Sequence, residues 1–197
     1  MAKKAKKKIS VMNFAVLGVL VVCLILAIVG LAIDDWMVTD TLGQKTSSSF
    51  ADALDTISNE NFQESVKKAQ ESIDKAEELG LSGEILEAAK ELVSNARQMT
   101  AMVAFALITV LLLAIATIAY ALKMFVNIGL LRFVAGAAGI LALIAAIVTI
   151  ALTASLAGDA NVVEEISKTT VGAGAALLAV GGILGGIAGG SALFIKK

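Results

Sequence analysis

The sequence predicts an all-α integral membrane protein, in which a four-transmembrane-helix bundle carries a helical hairpin between helices 1 and 2 on the extracellular or periplasmic side. Three observations predict this fold. Of 197 residues, 58% are hydrophobic and 17% charged, whereas soluble domains have about 45–50% and about 25%. Four segments lack Asp, Glu, Lys and Arg over the roughly 20 residues that cross a bilayer. The charges that separate these segments divide unevenly between the two sides of the predicted membrane.

The four predicted spans cover residues 9–33, 99–122, 133–157 and 169–195. Each is longer than the roughly 10–14 apolar residues of a buried core helix. A cleaved signal peptide is the alternative for the first span, but its apolar run exceeds the roughly 7–15 residues of a signal sequence. Cys23, within that run, is interpreted as a small packing residue.

The distribution of charge predicts the orientation. Nine of the sixteen basic residues, and no acidic residue, lie in segments 1–8, 123–132 and 196–197. All seventeen acidic residues lie in the two other loops, 34–98 and 158–168. Because Lys and Arg near span ends mark the cytoplasmic side, we expect a multi-pass plasma-membrane protein with both termini in the cytoplasm and these two loops outside.

The long loop 34–98 is predicted to begin with an irregular entry. Trp36 follows the first span, where an indole ring is expected to serve as an anchor in the membrane interface. Residues 38–49, which include Gly43, are interpreted as an irregular linker. A short amphipathic turn is predicted next, from three apolar residues at helical spacing: Phe50, Leu54 and Ile57.

The rest of this loop predicts a hairpin of two amphipathic helices, at about 61–79 and 83–98. Asn61 is expected to cap the first helix, and Gly80–Gly83 to form the turn. The chain has no proline, so the second helix can continue into the second span. The two apolar stripes are predicted to form the hairpin interface through Phe62, Val66, Ile73, Leu79, Ile85 and Leu92. The pattern allows the stripes either to pack within one chain or to be shared with neighbouring copies.

Two rows of glycine distinguish the fourth span: Gly181, Gly185 and Gly189, and Gly182, Gly186 and Gly190. Each glycine costs a helix about 1 kcal/mol relative to alanine, so these rows require a compensating interaction. In lipid, small residues four apart allow another helix to approach closely. The rows therefore predict helix packing within the bundle, with Gly136 and Gly139 as a possible complement, or oligomerisation between protomers.

The sequence indicates no enzyme. It has no histidine and one cysteine, which removes the usual zinc, copper, haem and iron–sulfur ligand sets. The predicted spans contain no ionisable side chain of the kind that couples ion or proton transport. No catalytic residue, metal or cofactor is predicted. The N-terminal lysines are interpreted as a topology signal that attracts anionic lipid, rather than as a nucleic-acid site.

The predicted layout resembles that of tetraspan families such as the claudins. The similarity consists of cytoplasmic ends, a long first outer loop that begins near Trp36, a tight inner turn and a short second outer loop. It covers topology only, because the two cysteines that follow a tryptophan-bearing stretch in the claudin outer loop are absent. The resemblance therefore implies no functional residue.

Together these features predict a non-enzymatic tetraspan protein that acts as an oligomerising structural or scaffold subunit of a membrane assembly. Its expected partners are the lipid bilayer and further copies or other membrane subunits. The alternative is a homo-oligomeric channel or pore with an acidic outer vestibule. A sensor role for the hairpin is less favoured, because the sequence shows no cytoplasmic output domain.

Overall fold

The computed structural model describes residues 11–126, 128–160 and 167–195. The predicted tail 1–8, much of the loop 158–168 and the last two residues lie outside these ranges. The elements in chain order are α1 (Val11–Ala32), β1 (Met37–Thr41), β2 (Gln44–Ser48), α2 (Phe50–Ser58), α3 (Glu60–Glu78), α4 (Glu84–Phe125), α5 (Gly129–Asp159), β3 (Ser167–Val171) and α6 (Ala173–Ser191).

Four of these helices, α1, α4, α5 and α6, are long and apolar enough to cross a membrane. They pack as a bundle in which α4 contacts α5, α5 contacts α6, α6 contacts α1, and α1 closes the ring against α4. Small side chains dominate the interior, as Ala116, Ala135 and Ala192 show. Tyr120 donates a hydrogen bond to Asn13 Oδ1 at 3.1 Å and so links α4 to α1.

The buried threonines of the bundle are satisfied by their own helices. Thr117 donates to the Leu113 carbonyl at 2.7 Å, and Thr149 donates to the Ala145 carbonyl at 2.9 Å. Thr153 and Thr109 make the same bond to the residue four positions earlier. Because a hydroxyl bonded in this way needs no partner on another helix, these residues add little polarity to the interior.

The expectation of an all-α fold is wrong in one respect, because a three-stranded antiparallel sheet lies beside the bundle in the order β2-β1-β3. Residues 38–49, predicted to be an irregular linker, instead form most of the β1–β2 hairpin. Its turn contains Leu42 and Gly43, both with positive φ. Glycine takes this conformation without steric cost.

The third strand extends into the predicted fourth span. Residues 169–171 pair with β1, and Thr39 Oγ1 lies 3.0 Å from Thr169 Oγ1 across the two strands. The helix α6 therefore starts only at Ala173. The segment is uncharged and so resembles the start of a span, but its β-branched residues favour a strand when a pairing partner is present.

The remaining boundaries also shift. Helix α4 runs without interruption from the acidic segment into the apolar one, as the lack of proline allowed. Helix α5 begins at Gly129, which shortens the turn predicted at 123–132. Helix α3 starts slightly earlier than predicted, since Asn59 rather than Asn61 is the cap. Its side-chain Oδ1 accepts a hydrogen bond from the Asn61 backbone N–H at 2.9 Å.

A capping box fixes the start of α2. The Asp52 backbone N–H donates to Ser49 Oγ at 3.0 Å, and the Ser49 backbone N–H donates to Asp52 Oδ2 at 2.9 Å. Hydrogen bonds from the Ser49 hydroxyl and then from its backbone N–H hold the pKa of Asp52 below its usual value. The box thus satisfies donors that a helix start otherwise leaves unpaired.

Candidate functional site

The first two glycines of the first row of α6 pack against α1. A β-carbon placed on Gly181 would stand 2.6 Å from the Cys23 carbonyl oxygen and 2.9 Å from the Ala27 backbone nitrogen. One placed on Gly185 would stand 2.9 Å from Cys23 Cβ of α1 and 2.6 Å from Leu113 Cδ2 of α4. Both glycines are buried, so the chain's own helices occupy this part of the row.

The second row packs against α5. A β-carbon on Gly186 would lie 2.5 Å from Leu143 Cβ and 2.8 Å from the Gly139 carbonyl oxygen. Gly189 belongs to the first row by spacing, but a β-carbon placed on it would lie 2.9 Å from Gly139 Cα of α5. Gly182 likewise faces Ala146 of α5. Gly139 is thus a complement within the same chain, and the second row is occupied as well.

The last glycine of the rows has more room. A β-carbon on Gly190 would meet only Ile140 Cγ1, at 3.4 Å. Gly136 faces the Leu193 side chain rather than a glycine. The glycine rows therefore serve helix packing inside one bundle, and they leave little surface for packing between protomers.

A further close approach, not anticipated from the sequence, joins the end of α1 to the start of α6. A β-carbon on Gly30 would lie 2.6 Å from the Gly174 carbonyl oxygen, and one on Gly174 would lie 2.7 Å from the Gly30 carbonyl oxygen. The sequence showed only that each of these two helix ends carries a glycine, Gly30 in α1 and Gly174 in α6. No spacing rule connects residues so far apart in the chain.

We expect Gly186→Ala to destabilise the bundle by about 1–3 kcal/mol, because the added methyl group meets α5 atoms that must move away. Gly18→Ala is the matched control, since a β-carbon on Gly18 meets no atom within 4 Å. It should leave stability unchanged or slightly higher, as alanine favours a helix over glycine. Thermal unfolding of the detergent-solubilised protein, followed by far-UV circular dichroism, measures both. Equal melting temperatures for the two variants would contradict the packing described.

Trp36, predicted to be an interface anchor, has a side chain that is enclosed by the protein. Its side chain is 1% exposed, its ring centroid lies 4.9 Å from that of Phe50, and its indole N–H points at Met102 Sδ at 3.4 Å. Its backbone bonds to β2 and to the start of α6: the Trp36 N–H donates to the Ser48 carbonyl, and the N–H of Gly172, the residue that caps α6, donates to the Trp36 carbonyl, each at 2.9 Å. Trp36 therefore joins the sheet to α2, α4 and the start of α6.

Trp36 is the only tryptophan in the chain, so intrinsic fluorescence reports on its environment directly. We expect blue-shifted emission that acrylamide hardly quenches, because a buried indole is shielded from water and solute. Denaturation in sodium dodecyl sulfate should shift the emission to the red and expose the ring to the quencher. Strong quenching in the folded protein would instead favour an interfacial ring.

The helix α3 folds back along the first turns of α4, and we call residues 60–98 the arm. Ile73 of α3 and Val93 of α4 are its buried apolar residues. Lys90 Nζ lies 2.9 Å from Glu77 of α3 and 3.0 Å from Glu87 of its own helix. Hydrogen bonds to Glu77 and then to Glu87 raise the pKa of Lys90 above its usual value.

The residues predicted for the hairpin interface divide into two groups. Phe62 and Val66 are half-buried beside Ala96–Ala104 in a groove of about 610 Å³, and Ile73 is buried. The other three do not lie between the helices, since their exposed fractions are 75% for Leu79, 88% for Ile85 and 72% for Leu92.

Helical geometry explains why Ile85 and Leu92 face outward. Leu86, Ala89 and Val93 are less exposed, and their spacing of three and four puts them on the side of α4 toward α3, with Ala89 at the edge that also lines a groove. Ile85 and Leu92 belong to the neighbouring row. The apolar stripe of α4 is thus wider than one partner helix covers, and its excess faces outward.

The arm also has a groove on the side where these residues emerge. This groove has a volume of about 700 Å³ and is lined mainly by apolar residues from both helices: Ala69, Ser72, Ile73, Ala76, Leu81, Ser82, Gly83, Glu84, Ile85, Leu86 and Ala89. Polar side chains form only a small part of its wall. The groove can bury apolar groups, but it offers no constellation for catalysis.

Within the described ranges, no group of three or more His, Cys, Asp or Glu side chains is placed to hold a metal ion. A comparison of the chain with protein-family models, with curated proteins and with solved structures found no match.

Proposed function

We propose that the chain is a plasma-membrane protein whose α1, α4, α5 and α6 span the bilayer. The surface of the bundle supports this proposal, because large apolar side chains project from every one of these helices, as Val22, Leu111, Ile144 and Ile187 illustrate. An apolar surface this extensive is costly in water. In a bilayer it meets hydrocarbon, while the helices satisfy their own backbone polar groups.

The proposed orientation has both termini in the cytoplasm and the sheet, α2 and the arm outside. The distribution of charge supports it, since lysine and arginine predominate at the end of the bundle that contains Lys123 and Arg132, and acidic residues predominate at the other. The loop that contains the arm then forms an external hairpin. Its two helices project beyond the bilayer as a continuation of α4.

Cysteine labelling of intact cells tests this orientation. The native Cys23 is buried within α1, so the wild-type chain should remain unlabelled by a membrane-impermeant maleimide. Ser82→Cys at the arm turn should label in intact cells, and Ala2→Cys only after permeabilisation. The reverse pattern would invert the proposed topology.

We further propose that the protein is an oligomerising structural subunit of a membrane assembly. One observation carries this proposal: Leu79, Ile85 and Leu92 are mostly exposed on a part of the chain that stands outside the proposed bilayer. Clustered large apolar side chains on a water-facing surface mark an interaction site. The glycine rows do not add to this support, because α1 and α5 occupy them.

Native mass spectrometry of the purified protein in lipid nanodiscs or mild detergent tests this proposal. We expect a defined oligomer that persists on dilution. A tagged copy should also recover an untagged copy when the two are co-expressed and extracted from the same membrane. A strictly monomeric protein in both measurements would overturn the proposed structural role.

A channel is a different interpretation of an oligomer. Within one bundle, the buried threonines donate to their own helix backbones, so they do not combine into a polar path between helices. A conducting path would have to lie between copies. The described residues supply no observation that favours one, and the structural role is the function we advance.

A further inference from the structure

We propose that two copies of this chain pair through one side of the arm, about a two-fold axis normal to the membrane. This inference rests on the proposed oligomerisation and assigns a surface to it. The arm face, as we call this side, consists of two central rows and two edges. The central rows are Ala69 and Ala76 of α3, and Ile85, Ala89 and Leu92 of α4. The edges are Lys68, Ser72 and Lys75 of α3, and Glu84 and Glu91 of α4.

The placement of these residues follows from their spacing and from the groove of about 700 Å³. Residues 69 and 76 and residues 85 and 89 line that groove, which puts both sets on the same side of the arm. Leu92 continues the α4 row, since positions 85, 89 and 92 repeat at four and three. Positions 68, 72, 75 and 79 form the adjacent row on α3, since they repeat at four and three. On α4, Glu84 lines the same groove, and Glu91 lies two turns further along the helix, on its outer side.

Symmetry explains why this face suits a second copy. Two chains inserted in the same direction in one membrane can form a closed pair only about an axis normal to it. Such an axis puts α3 of one arm opposite α4 of the other. Ser72 and Leu92 lie at similar distances below the arm turn, roughly 12–14 Å at about 1.5 Å per residue. Each therefore faces the other across the axis.

The sizes of the facing side chains are complementary. On this face α3 presents small residues, Ala69, Ser72 and Ala76, whereas α4 presents the large residues Ile85 and Leu92. The two-fold pairing packs Leu92 of each copy against Ala69 and Ser72 of the other. The same relation brings Ile85 near Ala76 of the second copy. Large side chains against small ones allow the helices to interlock at the density of a protein core.

The charges at the edges are complementary as well. The α3 edge carries Lys68 and Lys75, and the α4 edge carries Glu84 and Glu91. The two-fold axis sets each lysine edge beside the glutamate edge of the other copy, as charged flanking positions meet in a coiled coil. The arm as a whole has more acidic than basic residues. Two arms that met without a lysine edge beside a glutamate edge would therefore bring acidic side chains together. A face that carries both signs at opposite edges avoids this repulsion.

The lower boundary of the face is set by the chain itself. Below Leu92, Met99 and Val103 of α4 join the cluster that contains Leu54 and Ile57 of α2. The helix α2 thus covers the lower part of the same side, and the part above it stays uncovered. A soluble partner typically buries about 800 Å². Chains that the bilayer already concentrates and orients need less contact area, because the second contact is then effectively intramolecular.

Disulfide cross-linking of the full-length protein in native membranes tests the face. Two differently tagged chains are co-expressed, one with Ser72→Cys and the other with Leu92→Cys, and then oxidised. We expect a mixed dimer in high yield. The matched control is the pair Asp74→Cys and Ser94→Cys on the opposite side of the arm. A separate, smaller groove on that side is lined by Ser94 and Gln70, and Gln70 is hydrogen bonded to Asp74. The control pair should give little mixed dimer.

A charge reversal separates specific pairing from chance collision. With Cys at 72 and 92, Lys75→Glu in both chains should lower the cross-linking yield about fivefold, because each symmetric pair loses two edge attractions and acquires two repulsions. Adding Glu91→Lys should restore the yield, since the two edges are then exchanged. Lys67→Glu is the control, because Lys67 lines the groove of about 610 Å³ on the other side of the arm. The cross-linking yield of this variant should remain at the starting level.

The outcomes distinguish this inference from the proposed function. An oligomer by mass spectrometry with equal cross-linking on both sides of the arm would overturn the face and leave the structural role in place. A yield that Lys75→Glu lowers and Glu91→Lys fails to restore would overturn the two-fold arrangement. A monomer with no cross-link at either pair would overturn both proposals.

Discussion

The close approach of α6 to two other helices is the constraint on which the remaining structure depends. An ordinary helix surface keeps its neighbours about 8–10 Å away because side chains intervene. In α6 the glycines remove those side chains on two adjacent sides, so that α1 lies against Gly181 and Gly185 and α5 lies against Gly186 and Gly189. Backbone atoms then meet backbone atoms, and the resulting dispersion and Cα–H···O interactions offset the conformational cost of glycine.

This approach also decides what lies at one end of the bundle. Gly30 and Gly174 hold the end of α1 against the start of α6. The strands that follow α1 and precede α6 consequently begin side by side and pair, although 130 residues separate Thr39 from Thr169. Trp36 fills the space beneath the sheet and contacts α2 and α4. The bundle, the sheet and α2 are thereby connected through one buried aromatic side chain.

The surface of the arm, rather than the interior of the bundle, carries the proposed function. The glycine rows predicted packing within the bundle or between protomers, and the chain uses them for its own packing. The arm, by contrast, is incompletely packed: Ile73 and Val93 are buried, whereas Ile85 and Leu92 on the next row face outward. In a helix joined rigidly to a proposed membrane span, such residues are held at a fixed height. They are therefore well placed to meet the same surface of a second copy.

The sequence by itself determined the elements whose signals are local. Long uncharged runs predicted the four apolar helices, period-3.6 stripes predicted α3 and the charged start of α4, and the absence of proline predicted that α4 is continuous. The tertiary structure alone decided the features that need distant partners. A strand such as β3 acquires its hydrogen bonds from β1, so residues 169–171 could not be separated from a span by composition. Burial likewise depends on which neighbours arrive: α3 selected Val93 rather than Leu92, Phe50 and Met102 enclosed Trp36, and α1 and α5 took the two sides of the α6 glycine rows.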